Sequence, residues 1–252
     1  MTGLPFALQL YTVRDHLEKD LPGTLAQVKA IGYDYVEIGD TFGRSHETFQ
    51  QHLDQAGLEA ISTHVGYDDV VHNVPKVVDT ARAFGVRYVV VGGIDSRLTP
   101  DRAGWVSCGQ ALDAGGAALR ASGIQLCYHN HAHEFQPIGT EYPFDILLGA
   151  AAPEHLAAQI DTFWVRYADL DPVALIRKYR GRCPLVHVKD MADAPSRAFA
   201  EVGKGILDWT ALFRAGAEAG TAWYIVEQDT CPHDSLASAA VSAEFMARDF
   251  VI

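Results

Sequence analysis

The chain has 252 residues, 48% apolar and 21% charged, with 20 Lys and Arg against 32 Asp and Glu and a formal net charge of −12. That apolar share excludes a disordered chain, and the length is enough to bury a sizeable core. An acidic chain without a basic run is unsuited to nucleic acid, whose phosphates need Lys and Arg; no apolar run approaches the roughly 18 residues of a membrane span. Met1-Thr-Gly-Leu-Pro-Phe6 lacks the basic and apolar stretches of a signal peptide. A soluble, cytoplasmic protein is expected. Cys108, Cys127, Cys183 and Cys231 are far apart with no CxxC pair, so they read as small packing residues rather than a zinc or redox site.

In chain order, short β-rich runs stand at Phe6–Leu10, Tyr35–Ile38, Ala60–His64, Tyr88–Val91, Ile124–Asn130, Ala157–Asp161, Pro184–Val188 and Trp223–Glu227. They are mostly apolar without clean alternation, the pattern of parallel strands buried on both faces. Between them lie helix-length segments with apolar residues three and four apart: Leu21–Ile31, Val70–Phe84, Trp105–Ala121, about Pro172–Tyr179, Trp209–Ala219 and about Leu236–Ala247. Gly32, Gly57, Gly85, Gly123 and Gly220 each stand where a helix should stop before the next strand. Eight strands give about 31 residues per unit, close to the roughly 30 of a βα unit. No linker or low-complexity tract divides the chain. The expected fold is α/β, a single-domain (β/α)8 TIM barrel over residues 1–252, with an open doubly wound sheet as the alternative. No GxGxxG follows the first strand, which weakens a dinucleotide-binding version of that alternative.

In such a barrel the active site forms at the carboxyl ends of the strands. The polar residues at those ends are Gln9 and Tyr11 on the first strand, Glu37 on the second and His64 on the third. The fourth ends in Gly92-Gly93, which offers room rather than a side chain. The fifth ends in His129-Asn-His-Ala-His-Glu134, the sixth in Asp161, the seventh in His187-Val-Lys-Asp190 and the eighth in Glu227-Gln-Asp229. Carboxylates converging at one rim repel one another and are costly to bury; a divalent cation is the simplest compensation.

In those residues and their order the sequence resembles the sugar phosphate isomerase/epimerase superfamily. These are xylose-isomerase-like TIM barrels that include ketose 3-epimerases, inosose dehydratases and hydroxypyruvate isomerases. The resemblance spans nearly the whole chain and rests on Gln9–Asp15, Gly32–Glu37, His129–Phe135, Asp161–Trp164, His187–Asp190, Val202–Trp209 and Val226-Glu227. It implies one metal held by Glu134, Asp161, His187 and Glu227. That set of one His and three carboxylates suits Mn²⁺ or Mg²⁺, with Zn²⁺, Co²⁺ or Fe²⁺ as alternatives. It also implies acid/base work by Glu134 and Glu227 on opposite faces of a metal-bound enediolate, with Lys189 stabilising or protonating an oxygen. Lys204 departs from the family pattern, in which an acidic or neutral residue stands between the glycines.

Each of these residues also has a plainer reading. Asp161 suits a helix N-cap, His187 a core histidine, Glu134 a solvated loop charge and Lys189 a partner for Asp190. Gln9, Tyr11, His64, His131 and Trp164 are the expected substrate contacts. Against that, Tyr11 and Trp164 would serve as packing, His64 and His131 as strand-end caps, and Glu37 reads as support beneath the site. The expected activity is a metal-dependent sugar isomerase or epimerase. A dehydratase or lyase on a keto-inositol or 3-keto sugar is the alternative. An abasic-site endonuclease would need about three metals and a basic surface, and a non-catalytic binding protein would not need the carboxylates. The expected partner is a small sugar, keto-sugar or cyclitol, with no nucleic acid or membrane; a homo-oligomer is possible on this fold.

Overall fold

The structure is a computed structural model that describes residues 5–248, so the residues read for a leader peptide lie largely outside it. Its barrel strands are β1 (Phe6–Gln9), β2 (Tyr35–Ile38), β3 (Glu59–Val65), β4 (Tyr88–Val91), β5 (Gln125–His129), β6 (Leu156–Asp161), β7 (Leu185–Val188) and β8 (Trp223–Val226). They close in the order β1-β8-β7-β6-β5-β4-β3-β2. Every pair is parallel; Phe6 beside Tyr224 completes the ring, and Asp161 lies level with His187. The (β/α)8 barrel is therefore the fold, and among the described residues no helix is long and apolar enough to cross a membrane.

Side chains alternate across each strand. One set, including Leu8, Val36, Val89, Leu126, Ile160, Val186 and Val226, faces the helices and joins one large core. The other set, Ala7, Ile61, Val90, Cys127, Ala157, Leu185 and Ile225, fills the barrel interior as a separate cluster. Both faces are buried, which is why the strands read as unbroken apolar runs. At about 1.5–3 kcal/mol per buried Val, Leu or Ile, the outer layer carries most of the stabilisation. The interior is thereby free to hold polar groups higher up.

All five glycines read as helix stops lie at positive φ. At Gly32 (φ 116°) a Cβ would meet nothing within 4 Å, so the backbone conformation, not space, demands glycine. The expected helix over Val70–Phe84 is instead two, Tyr67–His72 and Val74–Ala83. Pro75 lacks an N–H and opens the second helix in its first turn, so the first must stop before it. The structure adds helices at His46–Ala56, Pro143–Gly149 and Thr162–Tyr167. The first buries only Phe49 and Leu53, too few apolar residues to set a period.

Between β7 and β8 a small antiparallel hairpin pairs Asp190–Met191 with Phe199–Ala200. Asp190 is fully buried and accepts hydrogen bonds from the Gly203, Gly205 and Leu207 amides and from Trp209 Nε1. The Gly-Lys-Gly motif is thus a cradle for Asp190: a Cβ on Gly205 would stand 2.2 Å from its Oδ1. Lys204 itself is exposed, so the departure from the family pattern changes a surface charge only.

Candidate metal centre and active site

The two-residue period builds the site. Two positions above the interior residues Ala7, Tyr35, Val90, Cys127, Ala157, Leu185 and Ile225 come Gln9, Glu37, Gly92, His129, Gln159, His187 and Glu227. An apolar floor is followed by a polar layer at the carboxyl rim. One further step places Asp161 at the end of β6 and Lys189 just past β7.

His129, Asp161, His187 and Glu227 each present one ligand atom, all within 4.8 Å of one another. Beneath them Glu37, fully buried, accepts from Gln9 Nε2 at 2.7 Å, Ser62 Oγ at 2.5 Å and Gln159 Nε2 at 2.7 Å. It also meets His187 Nε2 at 2.6 Å and His64 Nε2 at 3.1 Å. This network fixes proton positions. A carboxylate only accepts, so Gln159 turns its amide nitrogen to Glu37 and its Oε1 to His129 Nδ1 at 3.0 Å. Nδ1 is then the protonated nitrogen, and His129 Nε2 offers a lone pair to the cluster. His187 is held between Glu37 and Glu227, with Nδ1 2.8 Å from Glu227 Oε2.

Asp161 divides its two oxygens. Oδ1 accepts from Trp164 N at 2.9 Å and caps the helix Thr162–Tyr167, the plainer role expected of it. Oδ2 is buried without a hydrogen bond of good geometry, although Lys189 Nζ faces it at 3.0 Å. An orphaned carboxylate oxygen, a second carboxylate, the His129 imidazole and, once its Nδ1 proton is given up, the His187 imidazole form a donor set that fits a divalent cation.

Glu134 is placed elsewhere. The chain leaves β5 through the turn His133–Phe135, which carries Glu134 behind the rim. There it is fully buried and accepts from Tyr128 Oη and His131 N, both at 2.8 Å. It neither joins the four converging ligands nor lines the cavity above them. The structure thus places Glu134 apart from Asp161, His187 and Glu227, with which the sequence expectation grouped it as ligand and acid/base. The fourth residue brought to the converging group is His129, in phase with Cys127. The legible signal was its place as the last residue of the strand run. Lys189 also departs from its plainer reading: it meets Asp229, Glu227 and Asp161, while Asp190 is satisfied by backbone amides and Trp209 Nε1.

A cavity of about 290 Å³ opens over the cluster, lined by Gln9, Tyr11, His64, His131, Trp164, Lys189, Glu227 and also Gly39, Gly92, His129 and Asp229. Gly92 does provide room: a Cβ there would stand 2.9 Å from His64 Nδ1. Asp229, which ends the eighth strand's polar run, is a lining residue that strand position alone does not mark, since its place depends on Lys189 reaching across.

Charge states follow from burial and neighbours. Burial pushes Asp161 up to about 6 against the pull of Lys189 and His187. Burial opposes charge on His187 too, but Glu37 and Glu227 outweigh it and raise it to about 10. Glu227 resists burial the same way: Lys189 and His187 hold it below the usual carboxylate range. Lys189 is raised, burial being outweighed by Asp161, Glu227 and Asp229. His129 is depressed by burial and by the cations His187 and Lys189, and so stays neutral.

A closed parallel barrel with a buried His/Asp/Glu cluster at its carboxyl rim defines the class. The chain matches the profile of the Xylose isomerase-like TIM barrel family over residues 25–248, and it belongs to that family. It is 24% identical over 257 residues to an inosose dehydratase of Geobacillus kaustophilus, covering 86% of this chain and 82% of the relative. In structure it is similar to a sugar phosphate isomerase/epimerase from Parabacteroides distasonis, with TM-score 0.86, 20% identity, and coverage of 100% and 99%. It is also similar to the IolI protein with a bound zinc atom, with TM-score 0.73, 15% identity, and 96% of each chain.

Proposed function

We propose that the chain is a metal-dependent dehydratase acting beside the carbonyl of a keto-cyclitol or keto-sugar. The observation that carries this reading is one-sided acid/base equipment. Glu227 and Lys189 stand 2.6 Å apart in the cavity wall, with Asp229 2.8 Å from the same Nζ, while Glu134 is absent from that wall. Epimerisation needs proton transfer on two faces; elimination of water needs it on one. Likeness to an inosose dehydratase supports the same reading.

His129, Asp161, His187 and Glu227 would hold the metal ion, which when bound supplies Lewis-acid polarisation of the substrate carbonyl. Two imidazoles among four donors favour Zn²⁺, Co²⁺, Fe²⁺ or Mn²⁺ over Mg²⁺. Glu227, held ionised, accepts the proton from the carbon beside the carbonyl. Lys189, held protonated, gives a proton to the hydroxyl on the next carbon, which leaves as water. Solvent then takes the proton from Glu227 and gives one back to the Lys189 amine, and the site is reset. Gln9, His64 and His131 orient hydroxyl groups, and Trp164 offers an apolar face to the carbon side of the ring.

The test is metal-supplemented protein with a keto-inositol and with 3-keto sugars in D₂O, followed by NMR. Loss of water together with exchange at the carbon beside the carbonyl is expected. Exchange without elimination would instead identify an isomerase, since the same one-sided pair can move a proton between neighbouring carbons.

A further inference from the structure

Lys189 carries its charge to the point where the cluster is most negative. Its Nζ lies 3.0 Å from Asp161 Oδ2 and 2.6 Å from Glu227 Oε2, and both residues belong to the four-residue donor set. It lies 2.8 Å from Asp229 Oδ1, which does not belong to that set. The side chain is only 2% exposed, so water offers the ammonium no alternative. Its backbone is fixed on both sides by Thr162, whose Oγ1 donates to Lys189 O at 2.9 Å and accepts from Lys189 N at 3.1 Å. Only the far end of the side chain is left to move.

Resting on the metal-site reading above, we propose that Lys189 is a resident cation of this cluster, beside His187, and competes with a divalent metal ion for Asp161 and Glu227. Two cations cannot share the same two oxygens without strong repulsion, and a displaced ammonium inside protein needs another anion. Asp229 is that anion. It lines the cavity, is 22% exposed and already touches Nζ. Metal entry therefore moves the ammonium from the ligand oxygens to the cavity wall, facing substrate. The metal-free protein keeps its carboxylates neutralised, at the expense of metal affinity.

The experiment is calorimetric titration of Zn²⁺ and of Mn²⁺ into the metal-stripped full chain and into Lys189→Met. The variant is expected to bind about tenfold tighter or better and to melt lower without metal. Equal or weaker binding by Lys189→Met, with wild type binding normally, overturns the competition and leaves the metal site standing. Failure of wild type to bind either ion overturns both. Should Lys189→Met not fold without metal, Lys189→Gln is titrated in its place with the same two outcomes. A second measurement needs no variant: acetylation of wild-type Lys189 by an amine-reactive reagent, read by mass spectrometry. Faster labelling with metal than without is expected; unchanged or slower labelling overturns the displacement.

Discussion

Asp190 and Asp161 are both fully buried aspartates at the carboxyl ends of neighbouring strands, yet their surroundings are opposite. Asp190 is surrounded by donors from Gly203, Gly205, Leu207 and Trp209, and nothing about it faces the cavity. Asp161 has one oxygen spent on a helix cap and the other turned without a good hydrogen bond towards two histidines, a glutamate and a lysine. A buried charge with every lone pair satisfied holds structure together. A buried charge left partly unsatisfied is held ready for something else.

The comparison breaks first at Asp190. Asp190→Ala strands five donors, the Met191 amide included, and is expected to cost about 3–5 kcal/mol, lowering the melting temperature by roughly 10 °C; thermal denaturation checks it. Asp161→Asn should do the reverse. Asn caps helices as well as Asp, so the melting temperature without metal should stay within about 3 °C while metal affinity falls about a hundredfold or more. Within the cluster, His129→Ala is expected to weaken metal binding about 10- to 100-fold and Glu134→Gln by less than about threefold, both read by metal titration. The smallest effect is Lys204→Ala, an exposed position above the Asp190 cradle, where stability should shift by less than about 0.5 kcal/mol.

Much of this was legible in the sequence because apolar runs and glycine stops encode strand and helix limits directly. The run Tyr88–Val91 matches β4 to the residue, and Leu21–Ile31 matches its helix likewise. The strand-end rule also picks out Asp161, His187 and Glu227, which the closed barrel brings together. It does not place Glu134, because residues past a strand no longer alternate, and a turn of three residues redirects the side chain. The Glu37 network escaped for another reason: its partners Gln9, Ser62, Gln159 and His187 come from four strands and meet only when the barrel closes.

Asp161 also joins the cluster to the aromatic wall. The oxygen facing the ligands and the oxygen holding Trp164 N share one rigid carboxylate, so whatever grips the first pulls on the helix that presents the indole. Trp164 stands in the cavity lining, whereas Trp209 donates to Asp190 and Trp223 packs at the barrel floor. The protein thus carries a built-in fluorophore at its working end. In a chain whose other tryptophans are replaced by phenylalanine, its emission should report cation arrival optically, without any added dye.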